Sequence, residues 1–153
     1  MAIDSLLVSR LYQVFAKYQP GRAFACDFCY SEDELAYYAT TPLMEIPIDR
    51  LVSMLYETGD HWESTKAYKH FLPRILEVMG PPHFVEDMYP EHTFETLLYH
   101  KFKSWPVAER SVVLDYLHAI EKEIRFSTDE ERKEWARGIS KISTPPRKRS
   151  GRP

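Results

Sequence analysis

The stretch that most constrains this chain is its densest apolar run, Tyr68 to Gly80, which has a proline in its middle. Phe71 and Leu72 precede Pro73, and Ile75, Leu76 and Met79 follow it at helical spacing. Proline lacks a backbone N–H, and its ring clashes with the carbonyl four residues earlier. The run therefore predicts a corner in the core, with Pro73 in the first turn of a new helix, where its missing donor costs little. Pro47, Pro90 and Pro106 stand in similar positions before other apolar periodic segments, so proline-started helices are expected throughout.

Around this run the apolar spacing is helical. Ile3, Leu6, Leu7, Leu11, Val14, Phe15 and Tyr18 form one stripe, which Pro20-Gly21 ends. Residues 22–30 form a connector too apolar for a solvated loop. Ser31-Glu32-Asp33-Glu34 reads as a capping box opening a short helix that finishes before Pro42. A helix follows Pro47, and Asp60 is a candidate cap for a segment from His61 to Lys69. Gly80-Pro81-Pro82 stops the central run. Pro90 opens a helix through Phe102, and Pro106 restarts the longest one, with Val112, Val113, Tyr116, Leu117, Ile120 and Ile124 on one face. Ser127-Thr128-Asp129-Glu130 caps a last helix whose thin stripe, Trp135, Ile139 and Ile142, predicts a peripheral position. No segment alternates like a strand with a hairpin turn. The expected fold is all-α, one compact bundle of about six to eight short-to-medium helices. A helical domain over 1–142 and a basic, disordered tail over 143–153 are expected.

The 153 residues suffice for one real core without metal or disulfide staples. Only 5 glycines against 10 tyrosines and 8 phenylalanines favour helices packed through aromatics. No apolar run approaches the ~20 residues of a membrane span, and the N-terminal segment lacks the basic start of a secretory signal. With 2 cysteines, the expectation is a reduced, cytoplasmic protein.

Chemistry-bearing motifs are sparse. Cys26-x-x-Cys29 has the spacing of half a zinc site or of a redox dithiol. A closed zinc site needs four ligands, and none of the six histidines forms an H-x3-5-H pair. A thioredoxin-like motif would need a strand before it. Both cysteines therefore read as small core residues, with a metal or redox module as the alternative. His118 reads as solvent-facing; His70, among Lys66, Lys69 and Arg74, reads as a lowered-pKa surface or buried histidine. No nucleophile motif or phosphate-cradling loop is present, so no catalytic residue, cofactor or metal is assigned. An unrecognised enzyme would place His70, Arg74 and Glu77 in one cleft.

Charge is more informative. The net charge of −3 divides into a body of −7 and a tail holding Arg147, Lys148, Arg149 and Arg152 without an acid. Such a body attracts a basic partner and disfavours nucleic acid, while four tail charges bind phosphate only weakly. Acids and aromatics mix in two places, at residues 56–63 and 84–91. Glu57, Asp60, Trp62, Glu63, Glu86, Asp87, Tyr89 and Glu91 are the candidate partner-binding residues. The aromatics would anchor and the carboxylates steer.

Cys26-x-x-Cys29, Pro42-Leu43 and Tyr68-x-x-Phe71-Leu72-Pro73-Arg74-Ile75-Leu76-Glu77 resemble a group of small bacterial all-helical proteins with a C-x-x-C pair and an FLPRILE-like core segment. The resemblance covers roughly Phe15 to Met79 and implies the fold without assigning a functional residue. By size, acidity and lack of a catalytic motif the chain is also similar to immunity proteins of polymorphic toxin systems. That likeness implies a partner, a toxin domain with a basic cleft, whose active site the chain would occlude.

Overall fold

The computed structural model describes residues 4–21, 24–25, 30–58, 61–80, 90–123 and 128–143. Among them are seven α-helices and two short 3-10 turns, with one isolated bridge between Ala25 and Trp62 in place of any sheet. The helices are α1 (Ser5–Phe15), α2 (Glu32–Thr40), α3 (Ile48–Thr58), α4 (Thr65–Met79), α5 (Pro90–Tyr99), α6 (Val107–Glu123) and α7 (Asp129–Ser143). The fold is all-α, as the periodicity predicts. No helix of the described residues is long and apolar enough to cross a membrane.

Helices α1, α4 and α6 form the centre, with α1 packed on both others. Leu11 and Phe15 of α1, Leu72, Leu76 and Phe71 of α4, and Val112, Val113 and Leu117 of α6 are all buried there. Helix α7 lies on α5 and α6 and turns inward the three residues expected of it, Trp135, Ile139 and Ile142. Its Gly138 permits a close approach: a Cβ there would stand 2.4 Å from the Phe94 ring. Gly138→Ala gains ~1 kcal/mol of helix propensity. The forced shift of Phe94 outweighs it, and we expect a net loss of about 1–2 kcal/mol in denaturant unfolding. Phe94→Leu in the same chain should recover most of that loss.

The start signals are largely as expected. Ser31 and Glu34 form the reciprocal capping box of α2, and Thr128 accepts the Glu131 N–H at the start of α7. Three details differ. Pro73 does not open a helix: α4 runs unbroken from Thr65 to Met79 with Pro73 inside it. An interior proline costs ~3 kcal/mol, yet ten residues of α4 are buried, and apolar burial of that extent exceeds the penalty. The helix also starts later than His61. Ser64, not Asp60, caps it, accepting the Ala67 N–H at 3.1 Å, while Trp62 is held extended against Ala25. Asp60 itself lies outside the described residues, as do Gly59, Cys26, Cys29, residues 81–89 and residues 144–153.

Thirdly, α5 stops before Phe102. Lys101 takes the left-handed conformation (φ 60°, ψ 43°) and donates its N–H to the Leu98 carbonyl, after which 102–104 form a 3-10 turn. Trp105 fixes this corner by donating its indole N–H to the His100 carbonyl at 2.8 Å. Glycine adopts positive φ without a Cβ penalty. Lys101→Gly is therefore expected to raise stability by roughly 0.5–1 kcal/mol, read as a higher denaturation midpoint at unchanged slope.

Candidate functional site

Two groups of polar side chains merit attention, one closed inside the bundle and one facing solvent. The closed group joins the three central helices. Lys69 of α4 and Glu109 in the first turn of α6 are both buried, 7% and 0% exposed, and pair at 2.6 Å. The other carboxylate oxygen receives the Tyr18 hydroxyl at 2.5 Å and the Lys17 ammonium at 3.1 Å. Lys69 also donates to the Tyr18 hydroxyl at 3.2 Å and lies over the Trp105 ring, 4.4 Å from its centre.

Burial alone would raise the Glu109 carboxyl pKa. The bonds from Lys69, Tyr18 and Lys17 outweigh it and hold that pKa below the ordinary value. Burial and Glu109 together push the Tyr18 phenol well above its ordinary range. The one carboxylate thus serves two ammonium groups, and what the arrangement does chemically is tie the segment just after α1 to α4 and α6.

Sequence reasoning missed this pair, although a signal exists. Lys69 stands three and seven residues before Leu72 and Leu76, and Glu109 stands three and four before Val112 and Val113. Both charges therefore occupy core-facing register on their helices.

A second seam runs along α4 at His70, Arg74 and Glu77, the three residues an enzyme reading would gather. They share a face, but Arg74 and Glu77 pair with each other and His70 is committed elsewhere. The His70 Nδ1 meets the Tyr18 carbonyl at 2.9 Å; since a carbonyl only accepts, Nδ1 carries the proton. Burial lowers the His70 pKa, so the sequence's direction is right and its cause, neighbouring bases, is not. Arg74 bridges the Glu77 carboxylate and the Ile46 carbonyl, and Tyr12 donates to Glu77 at 2.9 Å. His118 is exposed.

The solvent-facing group lies on α2, α3 and their flanks. Residues 30–64 contain eight acids, Glu32, Asp33, Glu34, Glu45, Asp49, Glu57, Asp60 and Glu63, and a single base, Arg50. Their net charge of −7 equals that of the whole chain before the tail; the remainder of residues 1–142 balances to zero. All seven described carboxylates are exposed, and none forms a salt bridge with a described residue. Arg50 stacks over Tyr37 at 4.9 Å. Met44 and Tyr56, each 62% exposed, stand among these acids, and Asp49, Ser53, Tyr56 and Glu57 share the outer side of α3.

The inner side of the unit is held by tyrosines. Tyr38 donates to the Arg50 carbonyl and Tyr30 to the Met54 carbonyl, both at 2.9 Å. Phe24 then joins Tyr30 and Tyr38 to Phe71 of α4, 5.0 Å away between ring centres.

Of the candidate partner-binding residues, Glu57, Glu63 and Glu91 are exposed. Trp62 is half-buried, its ring within 5.5 Å of Tyr68 and 5.7 Å of Phe71, so part of it already completes the core. Asp60, Glu86, Asp87 and Tyr89 lie outside the described residues. Among the described residues no three His, Cys, Asp or Glu side chains converge on a point that would hold a metal. No protein-family model, curated protein or solved structure matches the chain.

Proposed function

We propose that this chain is a protein-binding module that presents the acidic outer face of α2 and α3 to a basic protein surface. In its most specific form it is an immunity protein that covers the active site of a cognate bacterial toxin. One observation carries the reading: a −7 excess falls within residues 30–64, and the seven described carboxylates there are exposed and form no salt bridge with a described residue. Unpaired surface charge of one sign costs stability through self-repulsion, and a complementary partner removes that cost. Met44, Tyr56 and the accessible part of Trp62 supply apolar anchors among the charges, the mixture that both steers a partner and slows its release. Glu57, Asp60 and Glu63 are the first-choice contacts, with Asp49 on α3 and Glu45 in the turn before it as further ones. Glu86, Asp87, Tyr89 and Glu91 are the second-choice contacts.

Affinity capture from the native host tests this, joined to co-expression with the protein recovered. We expect a basic partner whose toxicity or activity the chain suppresses. Recovery of no partner of that kind, with no protection on co-expression, overturns the proposal.

A further inference from the structure

We propose that the chain's own basic segment, residues 144–153, docks in cis on the acidic α2–α3 face and competes there with the external partner. The segment holds Arg147, Lys148, Arg149 and Arg152 with no acid, opposite in sign to the face. It follows directly on α7, which ends at Ser143. Helix α7 offers the segment no counter-charge of its own: Asp129, Glu130, Glu131 and Glu134 are matched by Arg132, Lys133, Arg137 and Lys141. Residues 65–80 carry three bases against one acid and offer it no net counter-charge. The largest negative excess is that of residues 30–64, −7, against −4 for residues 81–95.

Chemistry beyond charge also matches. The arginines of the segment can stack on an exposed aromatic such as Tyr56. Ten extended residues span up to ~33 Å, approaching the ~39 Å diameter of a domain whose radius of gyration is ~15 Å. A tethered ligand has an effective concentration in the millimolar range, so even a weak contact is substantially occupied. The segment would then act as an internal competitor, displaced only by a partner that binds the face better.

The inference rests on reading the face as a surface for basic chains, and the test separates the two. Lys148 is the segment's sole lysine, so zero-length carbodiimide cross-linking of the intact chain, mapped by mass spectrometry, reports where it sits. In the monomeric fraction at low salt, Lys148 should link to Glu45, Asp49, Glu57 or Glu63. Those links should vanish in ~1 M salt, where the Debye length is ~3 Å. Links mainly to acids outside 30–64, or only in a dimeric fraction, overturn the proposal. A synthetic peptide of residues 144–153 supplies the second arm. It should bind the full chain carrying Arg147→Gln, Lys148→Gln, Arg149→Gln and Arg152→Gln about tenfold more tightly than the wild type. Equal binding to both overturns cis competition alone; binding to neither overturns it together with the basic-partner reading of the face.

Discussion

Lys69→Met is expected to cost about 3–5 kcal/mol of folding stability, because it leaves the buried Glu109 carboxylate short of its main counter-charge. Glu109→Leu should cost a similar amount by stranding the Lys69 ammonium between the Tyr18 and Trp105 rings. The double replacement, Lys69→Met with Glu109→Leu, removes both buried charges and should recover most of either loss. Tyr18 and Lys17 are accessible enough to turn to water. Chemical denaturation of the four proteins closes the cycle, and additive single losses would contradict the account.

The same pair sets a pH signature. The Glu109 carboxyl has a lowered pKa in the folded chain, so it adds stability above the ordinary carboxylate value of ~4.3 and loses it as pH falls through the folded value. Glu109→Gln should therefore lag the wild type most at neutral pH, with the gap closing in acid.

Phe71→Ala should cost about 3–5 kcal/mol, since Phe71 is fully buried where Phe24, Trp62 and His70 meet. This junction fastens the α2–α3 unit to α4, so the loss should be felt first there. Hydrogen exchange should show α2 and α3 opening more readily than α6 in the variant. Trp62→Ala makes the informative comparison. Half-buried, it should lose only about 1–2 kcal/mol. A larger loss would mean that Trp62 serves the core alone and leaves no ring surface for a partner.

Much of the fold is legible because it is written locally. The capping box at Ser31, the Thr128 cap and the stripe on α7 each depend on residues within one or two turns. Pro73 is misleading for the opposite reason: the local cost of an interior proline is real, and the tertiary burial that exceeds it is invisible in a short window. Lys69 and Glu109 are hidden by a similar separation. Each looks like a solvated charge until its register is taken seriously, and the two stand forty residues apart. The charge excess is fully present in the sequence, yet averaging it over the body hides its confinement to 30–64. Only the packing of Tyr30, Tyr38 and Phe24 inward shows which side of that unit is left to face solvent.

In the proposed function this side captures a basic protein. The most direct test is the affinity of the recovered partner for the wild-type chain and for one carrying Asp49→Lys, Glu57→Lys and Glu63→Lys. All three positions are exposed, so the melting temperature should be little changed. Binding should weaken by about a hundredfold, with a slower association rate and a reduced dependence on salt. Equal affinity for the two chains would contradict the claim and move the interface elsewhere on the molecule.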